Sequence, residues 1–204
     1  MKKLIILLMA FCLAMPTVMA TDLTKKQQKE VEKLAKNRNK ELTKQGWKVM
    51  STLPLQTSLE RHFTAMLFDG KTEEMGISTR TKSKNNGRML AQSAAMNAYA
   101  DKWASDLKGR ALNDGSVKEK EFENFYAAYE RLVESEIRGD LKESFSMIKE
   151  NPDGTFEIQI FYLVDTEAAF QANMKALERA AKEAEMAQEY ADKMSQFVRE
   201  GFDK

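Results

Sequence analysis

Residues 143–164 read ESFSMIKENPDGTFEIQIFYLV, two apolar-rich runs separated by a short polar break. The break, NPDG at residues 151–154, is a turn sequence, because proline presets φ for a turn and glycine accepts a positive φ. We therefore predict an antiparallel β-hairpin whose strands cover residues 143–149 and 155–164. Since alternate residues of a strand point to the same face, the second strand presents five large residues together. These are Phe156, Ile158, Ile160, Tyr162 and Val164.

Two stretches upstream of the hairpin alternate apolar with polar residues, as strands with one buried face do. They cover residues 47–53 and 75–83, and the breaker NNG follows at residues 85–87. Apolar residues at helical spacing predict helices over residues 24–45, 57–68, 88–107 and 116–137. Because the strands and helices show no repeating strand-helix-strand unit, we predict an α+β fold, an antiparallel sheet of about four strands with helices on one face.

The chain after the hairpin is predicted to form one long C-terminal helix. Apolar residues step by three or four from Phe170 to Val198, and no glycine or proline occurs until Gly201. At 1.5 Å per residue this helix would be roughly 50 Å long, which exceeds the width of a small domain. The N-terminal helix has only a thin apolar stripe, so we expect these long N- and C-terminal helices to pack together.

The first 20 residues have the three parts of a secretory signal peptide. Residues 2–3 are basic, residues 4–13 are apolar, and Ala20 provides a small residue at the cleavage point. The apolar run is shorter than the roughly 20 residues that span a bilayer. We therefore expect a periplasmic or secreted protein with no transmembrane segment after cleavage. Because Cys12 follows Phe11 rather than a small residue, we expect no lipid attachment.

These elements divide the chain into a signal peptide at 1–20, an N-terminal helix at 21–45, an α+β domain at 46–165 and a long C-terminal helix at 166–204. Lysine and arginine number 32 against 31 acidic residues, so a nucleic-acid partner is not expected. The single cysteine, Cys12, lies in the predicted signal peptide, which excludes disulfides and thiol chemistry from the mature chain.

No set of residues in the sequence converges on a recognisable chemistry. His62 is the only histidine and has no cysteine partners, so we interpret it as a solvated or partly packed residue rather than a zinc ligand or catalytic base. AMLFDGKT at residues 65–72 matches a phosphate-loop pattern, but a predicted helix precedes it and a predicted strand follows, the reverse of the required order. We therefore assign no catalytic, cofactor-binding or metal-ligating residue, and leave the binding residues open.

Two segments carry a family resemblance. Gly46-Trp47-Lys48, followed by Leu53-Pro54-Leu55 and Leu59-Glu60, resembles the opening of a set of uncharacterised exported bacterial proteins. The spaced alanines of residues 88–107 are similar to those of the twenty-kilodalton membrane-associated lipoprotein family. The resemblance covers about residues 46–165 and implies a small strand-and-helix domain at the bacterial envelope, with no catalytic residues to carry over. That family is acylated at an N-terminal cysteine, for which this sequence has no acylation site.

Two functions remain open at this point. The first is a non-enzymatic envelope or periplasmic protein with an interaction or structural role, whose partner is an envelope protein or a second copy bound through the terminal helices. The alternative is a periplasmic ligand-binding protein or a carboxylate-dependent hydrolase. We expect no cofactor for the chain in either case. A deep polar pocket with raised carboxyl pKa values would indicate the alternative, whereas a flat exposed apolar surface would indicate the first.

Overall fold

The computed structural model describes residues 23–115 and 122–202. The predicted signal peptide and the predicted start of the fourth helix at 116 lie outside the described residues. The elements in chain order are α1 (Lys25–Lys44), β1 (Lys48–Val49), α2 (Leu55–Phe68), β2 (Lys71–Thr81), α3 (Lys84–Asp114), α4 (Glu123–Ile137), β3 (Lys142–Glu150), β4 (Phe156–Asp165), α5 (Thr166–Glu183) and α6 (Gln188–Phe202).

The four strands form one antiparallel sheet in the order β1-β3-β4-β2. This confirms the predicted α+β class and the number of strands. The hairpin of β3 and β4 is also confirmed, with Gly154 in its turn at a φ of 76°. Strand β1 is shorter than the predicted strand at 47–53, because only two of its residues pair with β3.

Helices cover both faces of this sheet. Ala91 and Ala95 of α3 pack against Ile158 and Ile160 on one face. Phe161, which points to the opposite face because strand residues alternate, packs in a second cluster with residues of α1 and α2. The expected helical layer on one face is thus joined by a second layer, since β4 carries large apolar residues at odd as well as even positions.

The largest apolar cluster lies among the helices. It joins the second half of α3 with α4, α5 and α6, and its fully buried aromatic members are Tyr99, Phe125 and Tyr129. The cluster meets the sheet at Val164, near the end of β4.

Helix α3 begins earlier than predicted. Ser83 is its N-cap and accepts a hydrogen bond from the backbone of Asn86 at 3.4 Å, so the NNG segment lies within the first helical turn. Gly87 is needed there for close packing, because a Cβ atom would lie 2.5 Å from Thr81 Oγ1 and 2.9 Å from Ile158 Cδ1. The glycine that suggested a break in the sequence therefore allows α3 to pack closely against the sheet.

The single long C-terminal helix is a wrong prediction, because the segment forms two helices that pack against each other. The break is a Schellman motif in which Met186 N donates to Ala181 O at 2.9 Å and Glu185 N donates to Lys182 O at 3.2 Å. Glu185 takes the left-handed conformation, with a φ of 50°, at the position where glycine is usual. The missing glycine explains why the sequence suggested no break.

The expected packing of the terminal helices against each other is also wrong. Helix α1 packs against α2, and its Ala35 and Leu42 belong to the cluster on the sheet. Helix α6 packs against α5 and α3, and buries Met194, Phe197 and Val198 in the helical cluster. Helix α1 therefore packs against the next helix along the chain, and α6 packs against helices of the helical cluster.

Candidate functional site

Strand β2 is an edge strand of the sheet. It pairs with β4 along one side, and no other strand pairs with it in residues 23–115 and 122–202. At eleven residues it is the longest strand of the sheet. A long edge strand offers unpaired backbone groups to another strand, which makes this edge the first candidate for a binding site.

The hydrogen-bonding pattern identifies which residues of β2 face the free side. Thr166 N donates to Gly70 O at 3.3 Å, next to the Lys71–Asp165 pair, so Gly70 and Thr166 form a hydrogen-bonded pair. Such pairs alternate with non-hydrogen-bonded pairs along an antiparallel ladder. The backbone N–H and C=O groups of the odd-numbered residues therefore point away from β4, and between Thr72 and Arg80 these residues are Glu73, Met75, Ile77 and Thr79. We call these four residues the β2 edge.

The hairpin gives the same assignment independently. Asn151 N donates to Thr155 O at 2.8 Å, so the odd-numbered residues of β4 bond to β3. The even-numbered residues of β4 are then left to bond to β2, and in the register they lie opposite the even-numbered residues of β2. The two hydrogen bonds, at opposite ends of β4, therefore agree that the backbone groups of the odd-numbered residues of β2 do not bond to β4.

The centre of the β2 edge is apolar and exposed. Met75 is 37% exposed and Ile77 is 41% exposed. Met75 lies opposite Phe161 in the register, so the edge side chains lie on the face that α2 covers. The edge therefore combines unpaired backbone groups with exposed apolar side chains.

A buried histidine holds the edge on this face. His62 of α2 is only 1% exposed, its Nε2 lies 2.7 Å from Glu73 Oε2, and its Nδ1 lies 3.0 Å from Ser144 Oγ. Its ring contacts those of Phe145 and Phe161 edge to face. The interpretation of His62 as solvated or partly packed is therefore wrong. Sequence spacing could not have shown this, because Ser144 is 82 positions away.

Ser144, His62 and Glu73 are the residue types of a catalytic triad, but the histidine ring is buried among aromatic side chains. A triad needs a substrate pocket at its nucleophile, with donors that stabilise the oxyanion. Two cavities near the end of α6 are lined by other residues, and His62 is enclosed by aromatic rings. We therefore assign this row of hydrogen bonds the role of positioning Glu73 and β2.

Helix α3 holds β2 on the other face. Glu74 Oε1 accepts a hydrogen bond from Lys102 Nζ at 3.0 Å. At Gly76 a Cβ atom would lie 1.8 Å from the carbonyl oxygen of Ala91, so the strand and the helix are in direct backbone contact. Contacts on both faces therefore fix the conformation of the strand while its side remains open.

The regular part of the edge ends near Thr79. The register shifts between Ser78 and Thr81, and Arg80 has a φ of 52°, which is unusual for a residue with a side chain. Irregularities of this kind end strand pairing at sheet edges. The part of β2 that can accept another strand is thus about residues 71–79.

A cleft near the end of α6 is the second candidate. Two cavities of about 200 and 380 Å³ share Thr166 and Phe202 in their linings. Trp103 stacks on Phe202, with ring centroids 4.1 Å apart, and Arg199 lies over the ring of Phe170. The buried indole Nε1 of Trp103 has no hydrogen-bond partner among the described residues.

A buried polar network lies behind this cleft. Tyr129 donates a hydrogen bond to Asn173 Oδ1 at 2.7 Å, and Asn173 Nδ2 donates to the hydroxyl of Tyr99 at 2.9 Å. Burial raises the pKa of both tyrosines, so both remain protonated at neutral pH. Tyr99 also lines the smaller cavity, and the network fixes this wall of the cleft.

The carboxyl groups with shifted pKa values do not point to acid-base chemistry. Hydrogen bonds from Lys175 and Arg179 lower the pKa of Glu136, and hydrogen bonds from Thr155 lower that of Asp153. In the two described segments, no group of three or more histidine, cysteine or acidic residues could hold a metal ion. No helix within residues 23–115 and 122–202 is long and apolar enough to cross a membrane.

Comparisons with protein-family models, curated proteins and solved structures find no match to this chain. The resemblance to the lipoprotein family in residues 46–165 therefore stays a prediction.

Proposed function

We propose that this chain is an exported, non-enzymatic protein of the bacterial envelope or periplasm that binds a protein partner by strand addition at the β2 edge. In strand addition, an extended segment of the partner bonds to the free backbone groups of a sheet edge. The observation that carries the proposal is that Met75 and Ile77 are exposed where no described residue pairs with the outer backbone groups of β2. The basic, apolar and small-residue parts of residues 1–20 support export.

The residues of the β2 edge are those of a strand that binds another strand, not those of an edge that prevents such pairing. Proteins usually protect a free edge with charged residues, proline, a bulge or a very short strand. Here the bulge and Arg80 lie at one end and Glu73 near the other, whereas the centre carries Met75 and Ile77. A partner strand would cover both apolar side chains and satisfy the backbone groups between the two charged ends.

The rigidity of β2 also supports binding. A partner loses less free energy on binding when the receptor strand is already ordered. His62 and Lys102 bond to adjacent residues of β2, and Gly76 packs directly on the backbone of α3. The strand therefore has its binding conformation before a partner arrives.

The test compares two single variants, in each of which one methionine is replaced by lysine. Met75→Lys places a charge at the centre of the edge, whereas Met89→Lys makes the same change on α3, at a side chain that is 69% exposed. We expect in-cell crosslinking in the native host to recover a partner with the unsubstituted protein and with Met89→Lys, and to recover much less with Met75→Lys. Equal recovery by all three proteins would refute binding at the edge.

Export has its own test. N-terminal sequencing of the protein from the periplasmic or extracellular fraction should give a start at Thr21. Recovery of the protein only in the cytoplasm, with Met1 or Lys2 at its start, would contradict the exported location.

Binding of a small ligand in the cleft is a second candidate function. The stacking of Trp103 on Phe202 favours it, because the pair presents an aromatic wall to the smaller cavity. The lining of Tyr99, Trp103 and Phe202 suits an apolar or aromatic group. Screening small aromatic carboxylates by tryptophan fluorescence should then give saturable quenching that Trp103→Phe removes and Trp47→Phe retains. Quenching that depends on Trp47 alone would exclude the cleft.

A further inference from the structure

We propose that the partner at the β2 edge is a second copy of this chain, with the two β2 strands paired antiparallel about a two-fold axis through Gly76. This inference rests on the proposed function, because it names the occupant of the same edge. The two four-stranded sheets would join into one continuous sheet, with β2 of each copy at its centre. The terminal helices would not mediate this contact, since they pack within the chain.

The free backbone groups restrict the possible registers. Two edges can bond only if an outward-facing residue of one lies opposite an outward-facing residue of the other. With the axis at Gly76, Met75 lies opposite Ile77 of the second copy, and Glu73 lies opposite Thr79. All four residues of the β2 edge are then in hydrogen-bonded pairs.

The side chains are complementary in this register. Two Met75–Ile77 pairs form an apolar centre that covers the exposed part of both edges. The acidic segment at Glu73 and Glu74 of each strand runs beside the segment of the other that ends in Arg80. Glu74 of each strand therefore lies diagonally across from Arg80 of the other strand, while Lys71 lies opposite the uncharged Thr81.

The neighbouring registers fit less well. An axis at Met75 would place Glu73 opposite Ile77, a carboxylate against an exposed apolar side chain. An axis at Ile77 would extend the pairing to Thr81, beyond the register shift that ends the regular strand. The Gly76 axis avoids both problems, because it pairs Met75 with Ile77 and keeps the four edge residues within 73–79.

Gly76 is also a suitable residue for the position on the two-fold axis. A residue on the two-fold axis of this register lies in a non-hydrogen-bonded pair, where the Cα atoms approach to about 4.5 Å. Gly76 brings no side chain to this close pair. Pairing over about seven residues is smaller than a standard stable interface of about 800 Å² per partner, so we expect dimers at roughly micromolar concentrations.

Disulfide trapping tests the register directly. In the full chain with Cys12→Ser, no other cysteine is present, so each introduced cysteine reports one contact. Opposed residues of a hydrogen-bonded pair have Cα atoms about 5.5 Å apart, within the range that a disulfide bridges. We expect a mixture of Met75→Cys and Ile77→Cys proteins to form covalent heterodimers under mild oxidation, at least tenfold more than either protein alone. Homodimers of Ile77→Cys or of Met75→Cys in equal yield would overturn the Gly76 register.

Sedimentation separates this inference from the proposed function. The unsubstituted protein and Met89→Lys should dimerise as concentration rises, whereas Met75→Lys should stay monomeric with an unchanged circular dichroism spectrum. If the unsubstituted protein is monomeric at several hundred micromolar but Met75→Lys still loses its crosslinked partner in cells, self-pairing is wrong and the proposed function stands. If Met75→Lys changes neither measurement, both are wrong.

Discussion

His62 of α2 lies 2.7 Å from Glu73 of β2 and 3.0 Å from Ser144 of β3, so one buried side chain joins two strands that are separated by β4. The ring contacts Phe145 and Phe161 across this same part of the sheet. Because the contact fixes both the helix and the edge strand, it connects the stability of the fold to the geometry of the proposed binding edge.

Replacing this histidine should destabilise the protein. His62→Phe keeps an aromatic ring but removes both hydrogen bonds and leaves Ser144 and Glu73 without their partner. We expect a loss of roughly 2–4 kcal/mol in the free energy of unfolding, measured by urea denaturation. Glu73→Gln is the control, because an amide at this partly exposed position can still bond to the imidazole, and it should cost less than about 1 kcal/mol. Equal stability of His62→Phe and the unsubstituted protein would show that these bonds contribute little.

A side chain at Gly76 should separate β2 from α3. Gly76→Ala places a Cβ atom 1.8 Å from the Ala91 carbonyl oxygen, a backbone atom that cannot move alone. We expect a loss of about 3 kcal/mol or more in thermal or urea unfolding. Gly109→Ala is the matched control within α3, where a Cβ atom meets nothing within 4 Å, and it should stabilise by about 0.5–1 kcal/mol. A mild effect of Gly76→Ala would contradict the close backbone contact.

The break between α5 and α6 predicts opposite effects for two glycine substitutions. Glu185 has a left-handed backbone, so Glu185→Gly should raise the free energy of unfolding by about 0.5–1 kcal/mol. Glu178→Gly, at an exposed position within α5, should lower it by about 1 kcal/mol. In a continuous helix both substitutions would be destabilising, so guanidinium unfolding of the two variants distinguishes one helix from two.

The contribution of Glu136 should depend on pH. Lys175 and Arg179 lower its pKa in the folded state, so the interaction stabilises the fold above the unfolded carboxyl pKa of about 4.3. This contribution disappears as pH falls through the lower pKa of the folded state. We expect Glu136→Gln to lower stability by roughly 0.5–1 kcal/mol at pH 7, since both partners are largely exposed, and to have no effect near pH 2. Melting curves of Glu136→Gln and of the unsubstituted protein across this range measure the difference.

Several elements could be predicted because their determinants are local. The turn at 151–154 contains a proline and a glycine at the required positions, and the strands beside it alternate. The capping box of Thr24 and Gln27 begins α1, and Gly46 ends it with a φ of 85°. Each signal lies within a few residues of the structure that it determines.

The break after α5 could not be predicted, although it is also local. Glutamate in the left-handed conformation costs roughly 1–2 kcal/mol, which a continuous helix would avoid. Burial of Met194, Phe197 and Val198 of α6 in the helical cluster offsets this cost. The gain comes from residues of α3, α4 and α5 that only the folded chain brings together.

The sequence alone was sufficient for the hairpin, the ends of α1 and the α+β class, since turns, caps and apolar periodicity act over short distances. The strand order β1-β3-β4-β2 required the tertiary structure, and this order makes β2 an edge. Burial of His62 likewise depends on strands from distant parts of the chain. Both features of the proposed site arise from pairing across long sequence separations, which no local pattern encodes.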